Sequence, residues 1–175
     1  LASISCADED RWLPIFWAID NFKSSQQRDI SEGNWTLAAV NEAAVPPAHL
    51  AVQRLRGSLD NWDVDGADVA ITALVRNRGA QTVFDELAHY AARDFRSIGH
   101  KVIYLSNAFR TLQTIGWEYA EPVMRSLVYA MLNHHGSPNP ATSDQTADRP
   151  GRFNRDLLSK LPEHWHGTKI DDGAT

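Results

Sequence analysis

Apolar residues recur at three- and four-residue intervals along almost the whole chain, and this spacing constrains the fold more than any other feature. Trp12, Ile15, Phe16, Ile19 and Phe22 share one direction if 10–24 is helical, because positions i, i+3, i+4 and i+7 of an α-helix project from the same face. Asp8 or Asp10 is then expected as the N-cap. Pro14 falls in the first turn, where a missing N–H is harmless. Val52, Leu55 and Leu59 mark a second helix, from Ala48 to Asp60. Asp63 is placed to cap a third, with Ala67, Ala70, Ile71 and Leu74 inward and Gly79 in the C′ role. Val83, Phe84, Leu87, Ala88 and Ala91 give a fourth. Ile98, Val102, Leu105, Phe109 and Leu112 form the stripe of a fifth, widened by Ile103 and Ala108 and stopped at Gly116. This fifth helix is apolar around most of its circumference, which predicts a central position. Val123, Leu127, Val128 and Met131 follow Pro122 in a sixth. The stretch 26–45 contains Gly33, has little period and is expected to be a loop with at most one helical turn.

Short connections make consecutive helices antiparallel neighbours, so the expected fold is all-α: a compact antiparallel bundle or stacked αα-hairpins with an extended C-terminal tail. Residues 1–135 are expected to form the helical domain. Residues 136–175 are expected to form a Pro-containing extension, since Pro138, Pro140 and Pro150 interrupt it, with one short helix near 153–161. A length of 175 residues with 43% hydrophobic and 22% charged side chains fits one globular domain. No apolar run reaches the ~18 residues of a membrane-spanning helix. Lys and Arg number 17 against 22 acids, a formal charge of −5, which argues against non-specific nucleic-acid binding. Cys6 is the only cysteine and excludes an internal disulfide or a thiolate cluster. The segment after Leu1 lacks the basic and apolar regions of a secretory signal, so a cytoplasmic location is the default expectation.

Two groups of residues carry candidate chemistry. Glu86 and His89 stand at i and i+3 on the fourth helix, a spacing by which helical bundles hold iron or another divalent metal. The alternative is an amphipathic helix with Glu86 in water and His89 lining a groove. On the fifth helix His100, Tyr104, Asn107 and Thr111 step by four, three and four, with Arg110 beside them. If that helix is buried, its polar groups must find partners, because each unpaired one costs about 1–3 kcal/mol. They then either line a wet pocket or form a network that locks the bundle. Asp94 lies just before this helix and can reach His100 or cap the helix. Glu86, His89, Asp94 and His100 together would form an acid–imidazole cluster, with Glu86, His89 and His100 as metal ligands. His100, Asp94, Tyr104, Asn107 and Arg110 are then the candidate catalytic residues. Arg125 lies one turn after Glu121 and is placed to pair with it. His134-His135 and His164-Trp165-His166 are further imidazole sites, read as a helix-end cap and a solvated tail. Six tryptophans are many for this length. Trp12 and Trp17 lie on different sides of their helix, which directs one of them at a partner or ligand.

The run Ile98-Gly99-His100-Lys101, continuing through Asn107 and Arg110 to Gly116-Trp117-Glu118 and the helix after Pro122, resembles helical sequences of the questin-oxidase-like family over about a third of the chain. The resemblance implies oxidative ring-opening of aromatic polyketides and carries across one residue, His100.

Two functions follow as expectations. One is an oxidoreductase with a buried His/carboxylate site acting on a small apolar substrate. The other is a non-catalytic helical subunit or interaction module, with a protein partner or a second copy gripped by the tryptophans and the tail.

Overall fold

The computed structural model describes residues 2–93, 96, 98–132 and 138–162. Among them every regular element is helical, as the apolar spacing predicts. Eight α-helices follow in order: α1 Ala2–Ser5, α2 Leu13–Ser31, α3 Ala51–Asp60, α4 Val64–Asn77, α5 Ala80–Ala91, α6 His100–Ile115, α7 Ala120–Leu132 and α8 Arg149–Leu158.

The core is organised around α4, which packs against α3 on one side and α7 on the other. Small residues at Ala67, Ala70 and Ala73 let its neighbours approach closely, since interaxial distance follows side-chain size at the contact. Ile71 and Leu74 fill the remaining space, and Leu55, Leu59, Met124, Val128 and Met131 close over them, all nearly or fully buried. Burying each such side chain contributes about 1.5–3 kcal/mol. Asp63 caps α4 as its sequence predicts, its Oδ1 accepting from the Gly66 N–H at 3.0 Å. Gly116, at φ +109°, ends α6 in a conformation that disfavours side chains with a Cβ.

Several boundaries differ from the spacing-based expectation. Asp8 and Asp10 lie in a single 3-10 turn, and Trp12 takes the N-cap position of α2 without a side-chain bond. Helix α2 runs on to Ser31, because 25–31 contains no breaker and Gly33, at φ +121°, is the first residue able to turn the chain back. Gly79 opens α5 with extended dihedrals, so Arg78 and not a left-handed glycine terminates α4. Ile98 and Gly99 both have positive φ, so α6 starts at His100. Nor is α6 central: Lys101, Leu105 and Leu112 are buried, while Val102, Ile103 and Tyr104 are open. The central positions go to α4, where alanine permits packing on two sides.

The segment after the bundle returns to it. Asn139 donates to the Asp60 carbonyl at 2.7 Å. Asp148 accepts two bonds from Arg96, at 2.8 and 2.7 Å, with both side chains almost wholly buried. Helix α8 begins at Arg149, one turn before the position the apolar spacing suggests.

Candidate functional site

The candidate residues of α5 separate. Glu86 is held by Arg56, whose Nε and Nη2 each donate to one carboxylate oxygen at 2.7 Å. His89 is exposed, with its ring edge-on to Tyr90 at 5.3 Å. It lines a cleft against α8 whose other charged walls are Arg93, Arg152, Arg155 and Asp60. A cleft so rich in fixed positive charge repels a metal cation. Among the described residues no three His, Cys, Asp or Glu side chains gather at metal-binding distance.

On α6 the polar row beyond His100 is in water. His100 is half-buried, with its ring 5.8 Å from that of Tyr104. Tyr104, Asn107, Arg110 and Thr111 are exposed. Solvation removes the burial penalty that would have forced these groups into a network. Arg110 sits instead at the rim of an apolar cleft of about 510 Å³ between α5 and α6, walled by Phe84, Phe109 and Trp117. Phe84 and Phe109 meet edge to face at 4.9 Å. Asp94, His134, His135, His164 and His166 lie outside the described residues.

The Arg125–Glu121 pairing suggested by their spacing gives way to longer-range partners. Arg125 binds both oxygens of Asp68 at 2.7 and 2.8 Å and donates to the Ala38 carbonyl at 2.7 Å. Glu121 joins Glu42 around Arg76, with contacts of 2.7–3.0 Å. A polar assembly with no local sequence signal forms at Trp62. Arg93 and Lys101 place their charges 5.1 Å from its ring centre, and Arg96 does so at 5.7 Å. Such cation–π contacts join the α3–α4 turn to the segment between α5 and α6.

The most unusual surface belongs to α2. No residue of this helix is buried. Trp12, Phe16, Trp17 and Phe22 are 58, 65, 71 and 64% exposed, and Leu13, Ile15 and Ile19 stand open beside them. Both tryptophans are outward. Helix α1 lies alongside and shapes an apolar groove of about 510 Å³ with Ile15, Trp17, Ile19 and Phe22. Soluble surfaces seldom leave so continuous an apolar patch uncovered.

Among the described residues no helix is long and apolar enough to cross a membrane. No family model, curated protein or solved structure matches the chain.

Proposed function

We propose that the chain is a helical self-association module in which α2 pairs with α2 of a second copy. The open aromatic stripe of α2 carries this reading. An aromatic side chain presents ~150–250 Å², so Trp12, Phe16 and Phe22 at the observed exposures leave roughly 350 Å² uncovered on one face. Ile15 and Ile19 bring that face to roughly 500 Å², the area one partner contributes to a small, transient interface.

The apolar face itself favours a second copy over an unrelated protein. A two-fold pairing centred near Phe16 runs the two helices antiparallel and covers both stripes at once. An isologous interface requires this self-complementarity.

The geometry favours this reading over an oxidoreductase, since Glu86 is committed to Arg56 and does not share a site with His89. One observation favours the second reading: the apolar cleft beside Arg110 offers room for a small apolar substrate.

Light scattering on the eluting protein tests the self-association. The expected mass is about twice 19.5 kDa, falling to the monomer value in Phe16→Asp, an exposed substitution that leaves the core untouched. A strictly monomeric wild-type chain at ~500 μM overturns the proposal.

A further inference from the structure

The cleft between the bundle and α8 is rich in positive charge. Its volume is about 290 Å³, and His89, Arg93, Arg152, Arg155 and Asn154 face it together with a single carboxylate, Asp60. The chain as a whole is acidic at −5, so this concentration of guanidinium groups runs against its composition.

The arginines here differ from the four that lock the bundle and the returning segment. Arg56, Arg76, Arg96 and Arg125 each grip a carboxylate through two nitrogens, with contacts of 2.7–3.0 Å. Arg152 is held mainly by main-chain carbonyls, donating to Pro140 at 3.2 Å and to Ser143, and its contact with Asp144 is long at 3.4 Å. Carbonyls fix a guanidinium without neutralising it. Arg155 has no side-chain hydrogen bond or ion pair among the described residues. Arg93 is a rigid floor: its side chain is 10% exposed, it donates to the Leu59 carbonyl at 2.9 Å, and the rings of Trp62 and Tyr90 flank it at 5.1 Å. The Asp60 carboxylate stands 3.8 Å from it and is 63% exposed.

We infer that this cleft binds a compact, multiply charged oxyanion, with Arg155 and His89 as its donors and Arg93 and Arg152 as fixed positive charges beside it. A guanidinium fork matches the paired oxygens of phosphate and carboxylate groups, and a concave site of net positive charge concentrates such anions. The occupant bridges α5 to α8, because His89 and Arg93 come from the bundle and Arg152 and Arg155 from the returning segment. Binding therefore stabilises the docked state of 138–162.

Calorimetric titration of the purified chain with inorganic phosphate and with citrate, at low ionic strength, tests the inference. Saturable binding is expected, accompanied by slower proteolytic cleavage within 138–162. Binding of phosphate alone assigns a phosphoryl ligand, and binding of citrate alone assigns a polycarboxylate. Arg155→Glu should weaken binding at least tenfold, and His89→Gln by a smaller factor, with thermal unfolding of both free variants unchanged. Absence of heat and of protection at ~10 mM of either anion overturns the inference, as does undiminished binding in Arg155→Glu.

Discussion

Gly151 shows how much of the returning segment depends on one missing methyl group. A Cβ at this position would run into the main-chain carbonyl of Arg93, which cannot swing away as a flexible side chain would. Gly151→Ala should therefore loosen the contact between α8 and the bundle. The expected readout is faster amide exchange across 149–158, with exchange in α4 unchanged; equal protection in variant and wild type would show that the backbone yields. Nothing in the sequence around Gly151 announces this contact, since Arg93 is far away along the chain. By contrast, the capping role of Asp63 was legible, because a cap needs only residues within one turn of itself. The same locality explains the failed expectation for Arg125. Glu121 lies at a suitable helical interval, but Asp68 on α4 offers both oxygens at 2.7 and 2.8 Å, and no local pattern reveals that choice.

The periodicity that identifies α4 and α6 as helices says little about which of them is buried. Both are rich in apolar residues, yet Leu74 on α4 is fully buried and Ile103 on α6 is half exposed. Leu74→Ala removes packed methyl groups from a site closed on both sides and should cost about 2–5 kcal/mol. Ile103→Ala should stay within about 0.5 kcal/mol, as exposed substitutions do. Chemical denaturation of the two variants measures the difference, and similar losses in both would contradict the assigned burial. Helix α2 poses the same problem more sharply. Its stripe of Trp12, Ile15, Phe16, Ile19 and Phe22 reads as a core-facing surface, but no residue of α2 is buried within the chain. Amphipathicity records that a helix has a face to cover, and leaves open whether the cover is its own bundle or a second copy.

At the scale of the molecule, one buried ion pair helps decide whether 138–162 stays docked. Burial pushes the Asp148 carboxyl up, but the bonds from Arg96 and Ser143 outweigh it and hold the group below the ordinary carboxylate range. A carboxyl whose folded pKa is depressed contributes stability that is present above its unfolded pKa of ~3.9 and is lost as pH falls through the lower folded value. The segment should therefore remain docked at neutral pH and open in acid below about pH 4. Asp148→Asn should open it at pH 7, at a cost of about 3–5 kcal/mol to docking, because the Arg96 charge is left buried without its carboxylate. Hydrogen exchange across 138–162 as a function of pH follows both effects; a segment equally protected in the variant would refute the role of the pair. By itself the sequence determined the all-α class, most helix positions, the cap at Asp63 and the stop at Gly116, because each depends on the period of a helix or on dihedrals within one turn. Only the tertiary structure decided that α4 is the centre, that Glu86 belongs to Arg56, that His89 faces a cleft of arginines and that α2 stands uncovered. Those outcomes depend on which distant side chains meet, and helical periodicity carries direction around an axis but not the identity of the neighbour.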